Sequence, residues 1–258
     1  CYDLIAEGYS GVMDLTGAAD SGPQKVGTPA ADLLGGADAA LGCIAALFER
    51  RVSGSGHLVD IALVDSMVRF MTPKLVSYMG SGIVPRRTGG TDSVIAIYQV
   101  FETADEPMTL GLGNDNTWQR FCKAVGREDL LNDPSLINNA GRVVERSRLV
   151  AEIAPILRTR SRAAWLELFN REKVPAGPIN SLDQVVADQE LRNRGLFYSV
   201  DDDGVDLPQV GLGMMVDRKR AGCARPPQHL GQDTENVLAE ILGYDKDRIT
   251  SLKQEQVI

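Results

Sequence analysis

Histidine is nearly absent from this chain, 2 of 258 residues, and aromatic side chains make up only 5%. His57 and His229 stand far apart in sequence, and none of the four cysteines (Cys1, Cys43, Cys122, Cys223) forms a CxxC pair. That spacing argues against a zinc site and against a disulfide framework, so no metal is expected. Unpaired cysteines suit a reducing cytoplasm, and Cys43, inside an apolar stretch, reads as a small core residue. Basic runs are missing too. Acids outnumber bases 35 to 27, giving a net charge of −8, and with so few aromatics for base stacking no nucleic-acid partner is expected. Long apolar runs are also lacking. The longest, Ala39–Phe48, is about half the span a bilayer needs, and no signal peptide is visible, so no membrane partner is expected. Even a starting methionine is absent: the chain opens "CYDLIAEGYSG", which reads as cut from something longer.

What is present is ordinary globular composition, 43% hydrophobic and 24% charged, in a chain long enough for one large domain or two smaller ones. Apolar spacing predicts a helix over 3–15, which Gly and Pro in "TGAADSGPQKVG" then break. Thr28-Pro29 predicts the start of another helix, with Thr as cap and Pro in the first turn, running to about Arg51. "HLVDIAL" (57–63) alternates polar and apolar residues and predicts a strand. Residues 64–82 read as helix with a break at Pro73, and 83–93 as a Gly-rich loop. Two strands around a turn at Ala104–Pro107 are expected within 94–115. Helices follow near 116–126, 141–159, 162–172 and 181–188, the last capped by Ser181. Strand character returns over 196–217 with a turn at "DDDG", and two helices close the chain, the first ending on Gly243. The change of texture near 94 and 200 suggests a smaller α+β module there, with the chain on both sides belonging to another body.

One helix stands out. "VGTPAADLLGGADAALGCIAALFERR" (26–51) is mostly Ala, Gly and Leu, yet carries Asp32 in its first turn. The residues following Asp32 on its face are small: Gly36, Ala39 or Ala40, and Cys43. Leu33, Leu34, Leu41, Ile44, Leu47 and Phe48 form the opposite stripe, so the helix is expected to be buried nearly all round. Asp32 is then either a dipole partner of the helix start or a carboxylate held against something through a face cleared of bulk.

Four stretches decide between these by resemblance. "YDLIAEGYSGVMDLTG", "GPQKVGTPAADLLGGADAALGCIAALFERRVSGSGHLVDIALVDS", "PRRTGGTDSVIAIYQVFETADEPMTLGLGND" and "RPPQHLGQDTENVLAEILG" together resemble the class III CoA-transferases. That family includes formyl-CoA transferase, carnitine CoA-transferase and the α-methylacyl-CoA racemases. The resemblance runs through the whole chain, and against the family pattern about the first third is absent before Cys1.

The resemblance implies that Asp32 is a nucleophile. It would attack an acyl-CoA thioester and pass through an anhydride and an aspartyl-CoA thioester, with Gly35 and Gly36 clearing room. Tyr2 would lie near the acid substrate, and Asn114 stands in "GLGND" where the racemases carry a Glu. With neither a racemase-type His at Tyr2 nor that Glu at Asn114, both bases needed for racemisation are missing. Gly89 and Gly90 in "RRTGGTDS" match a glycine-rich flap over the active site. By their chemistry Arg86 and Arg87 are either guanidinium groups that steer an acidic acceptor or solvated loop charges. The implied fold is α/β: a Rossmann-like large domain, a smaller α+β domain and an interlocked homodimer. Residues 1–93 would belong to the large domain, 94–200 to the small one and 201–258 to a return segment. CoA or acyl-CoA and a small carboxylic acid are the implied substrates, without a metal. The alternatives are a racemase of the same fold and a non-catalytic partner.

Overall fold

Near the N-terminus the apolar spacing yields two short helices, α1 (Asp3–Ser10) and α2 (Val12–Leu15), split at Gly11, whose φ of 84° only glycine adopts freely. This computed structural model describes residues 1–223 and 225–258. They fall into two units, Cys1–Ile179 and Asn180–Ile258. In the first unit α3 (Ala30–Ser53) packs on α1 and on α4 (Leu63–Phe70), and α5 (Thr72–Ser81) follows. The predicted break falls at Met71, which leaves Pro73 in the first turn of α5, where its missing N–H costs nothing. Ala6, Val12, Ala30, Ala31, Met67 and Met71 form the core of this helical part.

Three expectations fail here, each for a physical reason. The strand expected at 57–63 does not form; residues 54–62 have no regular structure. Its alternating Val59 and Ile61 lie against Gly42 of α3, where an added Cβ would come within 2.8 Å of Val59 Cγ1. A period of two therefore reports packing on a helix here, not a ladder. Thr28 does not cap α3 either: the N-cap position is Pro29, with no side-chain cap. The third failure concerns burial. Of the 24 residues in α3 only Ala30, Ala31 and Gly35 are buried, while Leu33, Leu41, Ile44, Leu47 and Phe48 are exposed. Cys43 is exposed with them, not in the core.

By length and apolarity α3 is a helix that could cross a membrane, which the short run Ala39–Phe48 did not suggest. Its polar ties point sideways instead. Asp38 accepts a hydrogen bond from Ser66 Oγ at 2.8 Å and pairs with Arg69 at 2.7 Å, both on α4. The Ser66 hydrogen bond, with help from Arg69 against a smaller effect of burial, holds the Asp38 carboxyl below its usual range.

After the loop, β1 (Tyr98–Phe101), β2 (Met108–Gly111) and β3 (Ala176–Pro178) form an antiparallel sheet in that order. Between β2 and β3 run α6 (Asp115–Ala124), α7 (Glu128–Leu131), α8 (Asn139–Val144), α9 (Arg146–Leu157) and α10 (Arg162–Arg171). The inward faces of sheet and helices close a core that includes Leu110, Trp118, Phe121, Ile153, Trp165 and Phe169. Each such side chain contributes about 1.5–3 kcal/mol by leaving water. Cys122 sits in this core, and burial pushes its thiol up to about 12. Native-state alkylation should therefore modify Cys1, Cys43 and Cys223 and spare Cys122 until the protein is unfolded. Mass spectrometry of the labelled peptides checks this.

Gly141 on α8 has no room for a side chain: a Cβ there would stand 2.0 Å from the backbone oxygen of Ser135. Backbone cannot swing aside as a side chain can. Gly141→Ala should therefore destabilise the protein by about 1–3 kcal/mol, although alanine is the better helix former. A lowered urea midpoint would show it.

In the second unit α11 (Leu182–Ala187), capped by Ser181, and α12 (Gln189–Asn193) precede the hairpin of β4 (Phe197–Asp202) and β5 (Val205–Val210). Asp203 and Gly204 turn it with φ of 49° and 87°, the pair of positive values that matches strand twist. A second short hairpin, β6 (Met215–Val216) with β7 (Lys219–Arg220), follows. Then come α13 (Thr234–Asn236), a π-helical turn at Val237–Ile241, Gly243 at φ 69° and α14 (Lys246–Gln254).

Candidate active site

Asp32 is the third residue of α3, exposed, and among the described residues its carboxylate has no hydrogen bond or ion pair. Its neighbour Ala31 is held from outside the helix. The Ala31 backbone N–H donates to Asp3 Oδ1 of α1 at 2.8 Å, and the Val26 N–H donates to Glu7 Oε2, one turn further along α1, at 3.0 Å. The first amides of a helix have no partner within it, and a carboxylate there also faces the positive end of the helix dipole. So α1 supplies the cap that Pro29 and Thr28 do not. Neither this role of Asp3 nor the bond of Glu7 to the segment leading into α3 is signalled by local sequence rules, which look for caps next to the helix they serve.

The other predicted residues divide in two. Tyr2, 85% exposed, immediately precedes Asp3 and thus shares with Asp32 the neighbourhood of the Asp3–Ala31 bond. Gly36 opens onto empty space, while Gly35 is buried where an added Cβ would meet Leu63 Cδ2 at 2.6 Å. Gly35 thus serves the approach of α3 and α4, and Gly36 leaves the outer face open.

The glycine loop is hydrogen-bonded on both of its sides. Gly89, at φ 61°, donates its N–H to the Gly17 carbonyl at 2.9 Å, and the Gly90 carbonyl accepts from Val100 N–H of β1 at 3.1 Å. Thr91 pairs with Gln99 as a β-bridge. Beyond it Asp92 accepts from the N–H groups of Val94 and Ile95, both at 2.7 Å. Burial raises the Asp92 carboxyl, but those two donors and the charges of Lys74 and Arg146 bring it below its usual range. Gly90 also lines a cleft of about 380 Å³ with Tyr98, Thr109, Gly111, Pro175 and Gly177. Asn114 is the N-cap of α6: its Oδ1 accepts from Thr117 N–H at 2.9 Å and Thr117 Oγ1 answers the Asn114 N–H at 3.2 Å. Arg87 donates to the Asp14 carbonyl at 2.7 Å and pairs with its carboxylate at 3.1 Å, whereas Arg86 is exposed. No group of His, Cys, Asp and Glu that would hold a metal occurs among the described residues.

Residues 1–234 match the family model described as CoA-transferase family III. The chain belongs to CoA-transferase family III. Two relatives and one solved structure of this kind illustrate the match. It is 32% identical over 258 residues to succinyl-CoA:glutarate CoA-transferase of Mus musculus, covering 100% of this chain and 59% of that one. With succinyl-CoA:mesaconate CoA-transferase of Haloarcula hispanica it shares 34% over 206 residues, 80% of this chain and 51% of the relative. A CAIB/BAIF family protein from Brucella suis superposes with a TM-score of 0.76 at 29% identity, covering 93% of this chain and 62% of that one. The fold of mixed helices and sheets is thus shared with solved members of the group. The family III chain spans about 51–59% of the length of these two curated relatives.

Proposed function

We propose that the protein is a CoA-transferase that moves CoA from an acyl-CoA thioester to a small carboxylic acid, with Asp32 as nucleophile. The observation that carries this reading is the Asp32 carboxylate itself: exposed, without a partner among the described residues, and set in the anchored first turn of α3 in a chain of this family. A carboxylate that no donor engages keeps its lone pairs for attack.

The chemistry balances without metal or redox change. An Asp32 oxygen attacks the thioester carbonyl, and CoA thiolate leaves, giving a mixed anhydride. The thiolate then attacks the Asp32 carbonyl, which releases the first acid and leaves an aspartyl-CoA thioester. The acceptor carboxylate attacks that thioester and expels the thiolate. Finally the thiolate attacks the acceptor's carbonyl and Asp32 leaves as carboxylate. Each anhydride must be kept from water, which calls for a covered site. The relatives' names pair succinyl-CoA with glutarate or mesaconate, so short dicarboxylates are the first acceptors to test. A Rossmann-like large domain, an interlocked homodimer and a cytoplasmic setting belong to the same reading. The exposed apolar stripe of α3 supports a second chain or further segment lying over it.

The test is isotopic. Each cycle transfers one acceptor oxygen into Asp32, so a single turnover with a heavy-oxygen acceptor acid should leave one heavy oxygen in the peptide containing Asp32, and repeated turnover should replace both. Transfer without label in that peptide would overturn the reading, and α-proton exchange of a 2-methylacyl-CoA would point to a racemase instead.

A further inference from the structure

The reading of Asp32 as nucleophile leaves two carboxylates of α1 without a task, and both are bonded to the chain leading into α3. We propose that Asp3 and Glu7 are positioning residues that set the direction of Asp32; this rests on Asp32 being the nucleophile. The two acids are four residues apart and so lie on one face of α1, the face that carries the buried Ala6 and Ser10. One grips the Val26 amide and the other the Ala31 amide, 19 and 28 residues away in sequence. A rigid helical turn thereby fixes the segment at two points, and the second point is the residue before Asp32. Because Ala31 is within the first turn, holding its amide fixes the rotation of that turn, and with it the side-chain vector of Asp32.

Two details argue that this is more than capping. Thr28 stands close to the helix start and would offer a local cap, yet the structure takes its acceptor from another helix. Glu7 is completely buried, and its Oε1 has no partner among the described residues. Burying a carboxylate for one amide bond is a poor way to gain stability, because a neutral acceptor would do it with less desolvation. It is a good way to hold a backbone in one place.

The test follows single-turnover acylation of the protein by succinyl-CoA. Asp3→Ala should lower the maximal rate by about 10- to 100-fold, the scale of a misplaced reacting group, while the succinyl-CoA concentration for half-maximal rate moves by less than about threefold. Asp3→Asn, whose amide oxygen still accepts from Ala31, should recover most of the rate. Amide exchange at Ala31 should quicken in Asp3→Ala and not in Asp3→Asn. A wild-type rate in Asp3→Ala would overturn the proposal, as would an unrescued loss in Asp3→Asn at unchanged melting temperature. If Asp3→Ala does not fold, Asp3→Glu decides. It keeps charge and acceptor but shifts the anchor by a methylene, so a maximal rate reduced about tenfold supports the proposal and a wild-type rate overturns it. Asp32→Asn separates the two levels. If it remains fully active the nucleophile reading falls; if it is inactive while Asp3→Ala is not, only the positioning proposal falls.

Discussion

Asp32→Asn should reduce CoA transfer by about a thousandfold or more, because the amide can form neither the anhydride nor the aspartyl thioester. The fold should not notice. Asp32 is exposed and makes no hydrogen bond among the described residues, so the substitution removes no contact, and stability should stay within about 0.5 kcal/mol. That separation gives the experiment its force: a loss of turnover at unchanged melting temperature is a loss of chemistry. Steady-state transfer from succinyl-CoA to a panel of short dicarboxylates, run beside thermal unfolding, measures both. Full turnover in Asp32→Asn would assign the nucleophile elsewhere.

Arg142→Ala should produce the opposite pattern, a large loss of stability that begins beside Trp118. The Arg142 side chain is 1% exposed and lies 5.5 Å from the centre of the Trp118 ring. Its guanidinium pairs with Asp115 and donates to the carbonyls of Leu136 at 2.8 Å and Ile137 at 3.3 Å. Alanine would leave those carbonyls without their donor and open a cavity beside Trp118. Together these should cost about 3–5 kcal/mol and lower the melting temperature by roughly 10 °C. Arg142→Lys keeps the charge but not the planar fork that reaches several acceptors at once, so it should recover only part of the loss. Chemical denaturation of the three proteins checks the ranking.

Much of this architecture could be read from local sequence because its signals are local. The helices after β2, the Ser181 cap of α11 and the Asp203–Gly204 turn all depend on residues a few positions apart. What escaped the reading depends on distant partners. Residues 57–63 alternate whether they lie on a sheet or against Gly42, so periodicity alone could not choose. The apolar stripe of α3 predicted burial, but periodicity says only which residues avoid water, not whether a neighbour is present to cover them. Asp32 was visible as a charge out of place. Asp3 and Glu7 were not, since their hydrogen bonds span 28 and 19 residues and nothing in the local pattern announces them. The approach of Leu63 to Gly35 is equally silent in the local pattern, since the two residues are 28 positions apart.

The short stretch from Thr88 to Asp92 has a consequence for how the first unit comes apart. One end is bonded to Gly17, beside the helical core, and the other is laddered onto Val100 and Gln99, beside the sheet core. This splint joins the two hydrophobic clusters, so opening either one strips backbone partners from the other. Cys1–Ile179 is therefore expected to unfold as a single block, with coincident transitions at the two cores.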